Sequence, residues 1–69
     1  MKKKFIKKLD GFNLYYAVDD CEVLHLYAYL NRKMATEQKY MIDKDLDGIA
    51  LQYAYQHLIE IAKQNVSRT

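Results

Sequence analysis

Glycine occurs only twice in this chain of 69 residues, at positions 11 and 48, and proline not at all. Unusual backbone geometry is therefore confined to few places, and Asp10-Gly11 is the most informative. Asp-Gly is a preferred two-residue hairpin turn, because both central residues of a type I′ turn need positive φ. The residues after this turn alternate: Phe12, Leu14, Tyr16 and Val18 against Asn13, Tyr15 and Ala17. A period of two signals a half-buried strand. Centring a hairpin on the dipeptide pairs Leu9 with Phe12, Lys7 with Leu14 and Phe5 with Tyr16, so a β-hairpin is expected over residues 3–18.

From Val23 to Leu30 two patterns compete. Leu24, Leu26, Ala28 and Leu30 alternate with His25, Tyr27 and Tyr29 as in a strand, while Val23, Leu26, Tyr27, Leu30 and Met34 fit a helical stripe, and Asp19 with Glu22 resembles a capping box. Register favours the strand. A three-residue loop at Asp19-Asp20-Cys21 pairs Leu24 with Tyr16 and puts Leu24, Leu26, Ala28 and Leu30 on the face that holds Phe12, Leu14 and Val18. A second loop near Met34-Ala35-Thr36 adds a fourth strand, with Tyr40 and Ile42 on the same face.

From Asp45 to about Gln64 nothing but Gly48 interrupts a helix, and Asp43, Asp45 and Asp47 suit its N-terminus. Stepping about 100° per residue gathers Gln52, Gln56, Glu60 and Lys63 into one narrow polar sector. Apolar residues fill most of the rest, more than the stripe of roughly 100° that one sheet needs. The excess arc, Leu51, Tyr55, Leu58, Ile59 and Ala62, is expected to meet a partner. The tail from Asn65 to Thr69 is expected to fray. The fold expectation is α+β: a small antiparallel meander with one long C-terminal helix, residues 1–69 forming a single domain. The alternative is the N-terminal hairpin followed by two helices.

Size bears on partners. Ordering 69 residues at roughly 1.5 kcal/mol each costs about 100 kcal/mol, which about 4,000 Å² of buried apolar surface offsets at ~25 cal/mol/Å². One small core barely supplies that area. A single cysteine makes no internal bridge, which excludes a disulfide-stapled scaffold and fits a reducing, cytoplasmic setting. Association with a second copy, or with a host protein, is then the expected support. Nine Lys, seven Tyr and five Ile against two Gly, two Arg and no Pro reflect AT-rich codons. A low-GC bacterium, or a phage or mobile element within one, is the expected origin.

The net charge of +2 is too small for a polycation that coats phosphate backbones, yet Lys2, Lys3, Lys4, Lys7 and Lys8 crowd the first eight positions. Lys7 and Lys8 break the apolar run after Phe5-Ile6, so no signal peptide is expected, and no run approaches a membrane span. Asp43-Lys44-Asp45-Leu46-Asp47-Gly48 has the opening spacing of an EF-hand calcium loop, but Ala54 stands where the bidentate Glu belongs, and Leu51 at the ninth position. Helix capping explains the aspartates better. Cys21, His25 and His57 lack the paired spacing of a zinc site. Cys21 lies beside Asp19, Asp20 and Glu22, which suppress a thiolate, and two glycines cannot build a phosphate loop. No enzyme, metal, cofactor, membrane contact or small-molecule substrate is expected.

Surface remains. The outer sheet face is expected to carry Tyr15, His25, Tyr27 and Tyr29, with Ile6, Lys4 and Lys8 at one edge, and His57 is expected half-buried on the helix between Tyr53 and Ile61. Tyr is enriched in protein interfaces. The expected function is a small non-enzymatic protein-binding module, homodimeric, acting as an inhibitor or regulator that occludes its partner. Its contacts are expected at Leu51, Tyr55, Leu58 and Ile59 of the helix and Tyr15, Tyr27 and Tyr29 of the sheet. The alternative is a nucleic-acid-binding regulator that uses Lys3, Lys4, Lys7 and Lys8 with the Tyr face.

Overall fold

The computed structural model describes residues 2–41 and 48–67. Four strands, β1 (Lys4–Leu9), β2 (Phe12–Val18), β3 (Val23–Leu30) and β4 (Lys33–Met41), precede one helix, α1 (Gly48–Ser67). The strands form an antiparallel meander in the order β1-β2-β3-β4. The helix covers one face, chiefly over β4 and β3. This is the expected α+β fold, and the hairpin-and-two-helices alternative fails because residues 23–30 form the third strand.

Asp10 and Gly11 adopt positive φ, 53° and 87°, and close the first hairpin with Leu9 opposite Phe12 and Lys7 opposite Leu14. The expected Phe5–Tyr16 pair does not form. A bulge between Phe5 and Lys7 moves Phe5 opposite Tyr15 and Lys4 opposite Tyr16. Because the side-chain period is two, that one-residue slip exchanges the faces: Ile6 turns to the core and Phe5 leaves it.

The loop between β2 and β3 is longer than expected, with Leu24 opposite Val18 and Leu26 opposite Tyr16. The shift is two residues, so the face assignment survives. Val18 at the strand end is nonetheless 47% exposed. The third connection is Asn31-Arg32, not Met34-Ala35-Thr36; both turn residues have positive φ, 53° and 67°, and Leu30 faces Lys33. A bulge in β4 then leaves Ala35 unpaired between Met34 and Thr36 and brings Tyr40, rather than Lys39, opposite Leu24 on the core side. Ile42 lies outside the described residues.

The core joins Phe12, Leu14, Leu24, Leu26 and Ala28 of the sheet to Ala54, Leu58, Ile59 and Ala62 of the helix. Full burial of each large member contributes roughly 1.5–3 kcal/mol. The helix runs further than expected, because its end is tied down: Asn65 Nδ2 donates to the bulge carbonyl of Ala35 at 2.8 Å, and Lys63 Nζ meets Asp10 Oδ2 at 3.2 Å. Asp43, Asp45 and Asp47, the expected caps, lie outside the described residues.

Candidate functional site

One layer of helix leaves the other face of the sheet uncovered by the described residues. Odd-numbered residues of β2 and β3 point there, and the β1 bulge adds Phe5. Phe5 and Tyr15 meet edge to face with ring centroids 5.5 Å apart and an interplanar angle of 71°. Tyr15 and Tyr29 repeat the arrangement at 5.3 Å and 77°. Three strands thus contribute to one aromatic row, and Met34, the partner of Tyr29 on β4, is 46% exposed beyond it.

Lys3 lies across this row. Its ammonium sits 4.3 Å from the centroid of Tyr27 and donates a hydrogen bond of 2.5 Å to the Tyr29 hydroxyl, whose oxygen holds the Lys3 pKa above its ordinary value. Beneath it Tyr27 is only 4% exposed, and burial raises its phenol pKa. Lys3, Asn13, Tyr15, Tyr29 and Arg32 line an open groove of about 340 Å³. Among the described residues no carboxylate lines it.

The other end of the face is an ion cluster. His25, 5% exposed, is stacked 6.4 Å from Tyr27 and holds a carboxylate on each ring nitrogen. Its Nε2–H donates to Asp19 Oδ2 at 2.9 Å and its Nδ1–H to Glu37 Oε2 at 3.0 Å. These bonds, Asp19 first, raise the His25 pKa, and the one from His25 is the first cause lowering that of Asp19. Asp19 Oδ1 accepts the backbone N–H groups of Cys21 and Val23, so the same carboxylate shapes the loop.

Of the expected contact residues, Tyr15, Tyr27 and Tyr29 come together here as the alternation implies, with Lys3 upon them. The helical set divides. Leu58 and Ile59 are 0% and 3% exposed and belong to the core, while Leu51 and Tyr55 are half-buried against it. Leu58 and Ile59 are therefore not part of an exposed arc, because the meander is wide enough to receive them. The large apolar residues left exposed on the helix are Ile49, Tyr53 and Val66. His57 is exposed rather than half-buried. Lys8 stays beside Asn13 on the open face, but Lys4 and Lys7 pair with core-side residues, and the Lys7 ammonium lies 5.3 Å from the Tyr55 ring.

Phe5, Asn13 and Arg32 are the site residues that the pattern did not single out. The dipeptide Asn31-Arg32 was the available signal for Arg32, since Asn tolerates positive φ. Nothing local marks the β1 bulge that delivers Phe5. Among the described residues no group of three or more His, Cys, Asp or Glu is arranged to hold a metal ion, and no helix is long and apolar enough to cross a membrane. No family model, curated protein or solved structure matches this chain.

Proposed function

We propose that this protein is a non-enzymatic binding module that docks a partner protein on the uncovered face of its sheet and acts by occluding the partner's surface. One observation carries the proposal: the row Phe5–Tyr15–Tyr29, packed edge to face with Phe5 exposed and both tyrosines half-buried, beside the cations Lys3 and Arg32. Aromatic side chains offer large contact area at little entropic cost, and a cationic rim supplies orientation. The helix contributes less to docking than its apolar sequence implies, since Leu58 and Ile59 are taken up inside the fold.

The test places a photo-crosslinking residue at position 5 or, as a control, at the exposed helical position 56 in the producing cell. A protein captured from position 5 alone should bind the purified chain, and Phe5→Glu should weaken that binding at least tenfold with an unchanged melting temperature. Equal capture from both positions, or binding indifferent to Phe5→Glu and Tyr29→Glu, would defeat the proposal. The second reading, a nucleic-acid regulator, draws on Lys3 and Arg32 in the groove. It requires oligonucleotide binding that falls steeply as salt rises.

A further inference from the structure

We propose that the groove between Lys3 and Arg32 recognises an acidic peptide segment of the partner, one whose carboxylates are flanked by apolar side chains. This rests on the protein-docking reading above and names the chemistry of what docks. The groove presents a lysine ammonium, an arginine guanidinium, the Asn13 amide and the phenols of Tyr15 and Tyr29, and, among the described residues, no carboxylate. Such a set is complementary to carboxylates: the guanidinium fork takes one bidentately, and the amide and phenol groups donate to its remaining lone pairs. Phe5, 56% exposed at one side, and Met34, 46% exposed at the other, supply apolar ground for the flanking side chains.

Arg32 stands at a backbone position that works against it. With φ 67° in a two-residue turn, this is where glycine is favoured, and an arginine there aims a cation into the groove at a cost in stability.

The same geometry disfavours nucleic acid as the occupant. Base stacking needs ring faces, whereas the rings of the row meet at 71° and 77° and Tyr27 lies beneath Lys3. A phosphate path needs a run of cations, and Lys7 through the turn register and Lys4 through the β1 bulge both pair with core-side residues.

The experiment titrates the 15N-labelled full chain with an acetylated peptide of glutamates flanked by leucine and phenylalanine, its glutamine counterpart, and an oligo-dT of equal charge. The expected result is movement of the resonances of Lys3, Asn13, Tyr15, Tyr29 and Arg32 with the glutamate peptide only, and at least tenfold weaker binding to Lys3→Glu/Arg32→Glu. Lys3→Gln/Arg32→Gln, which keeps the side-chain stems, should show an intermediate loss at an unchanged melting temperature. Tighter binding of oligo-dT than of the peptide would overturn the proposal in favour of nucleic acid. Binding on the face that ignores both charge variants would overturn the acidic specificity while leaving the docking face intact. No movement at millimolar peptide would overturn the proposal outright, and the cross-linking at position 5 then decides the broader reading separately.

Discussion

The imidazole of His25 donates from Nε2 to Asp19 Oδ2 at 2.9 Å, so a ring on the open sheet face anchors the loop that joins β2 to β3. With Glu37 on its other nitrogen, both ring nitrogens of His25 face carboxylate acceptors, which favours the imidazolium and raises its pKa.

Stability should therefore depend on pH in a bounded way. The folded pKa of His25 is raised, so its contribution is fully present below the ordinary histidine value of about 6.5 and is lost as pH rises through the folded pKa. The folded pKa of Asp19 is lowered, so its contribution is present above about 3.9 and disappears as pH falls through the folded pKa. Melting temperatures recorded from pH 3 to pH 9 should peak between those limits. In His25→Gln the decline on the alkaline side should vanish; an unchanged decline would mean that another group causes it.

Arg32→Gly converts the β3–β4 turn to Asn-Gly and removes a side chain from a positive-φ position. We expect a gain of about 1 kcal/mol in urea unfolding together with weaker binding of the glutamate peptide. A destabilised variant would show that Arg32 contributes more through contacts than it costs through its backbone.

Tyr40 buries its hydroxyl without a hydrogen-bond partner among the described residues, and burial raises its pKa. Tyr40→Phe removes only that unsatisfied group, so stability should stay level or rise by up to about 1 kcal/mol. A loss above that would reveal a partner for the hydroxyl.

The two sides of the helix should respond very differently. Leu58→Ala, at a site with no exposure, should cost about 2–5 kcal/mol, while Tyr53→Ala, 69% exposed, should stay within about 0.5 kcal/mol. Similar costs at both sites, measured by denaturant midpoints, would contradict the packing of α1.

The gathering of tyrosines on one face was legible because alternation along β2 and β3 is a local pattern, and the two-residue error in the Leu24 register preserved it. The helix was legible as a helix, but not its contacts. An apolar arc on a wheel records how much surface needs burial, not how wide the covering sheet is, and the meander takes in Leu58 and Ile59 together. The ion cluster escaped notice because His25, Asp19 and Glu37 are brought together only by the β2–β3 loop and the β3–β4 pairing.

Local sequence was enough for the Asp10-Gly11 turn, the alternation of β2 and β3, the amphipathic helix and hence the α+β class, since each depends on residues close in the chain. Which residues form the open face was settled only in the assembled sheet. Bulges in β1 and β4 move Phe5 outward and Tyr40 inward, and each is defined only by the pairing of one strand with its neighbour. A one-residue insertion in a ladder leaves no mark on local composition, yet it reverses the face of every residue beyond it.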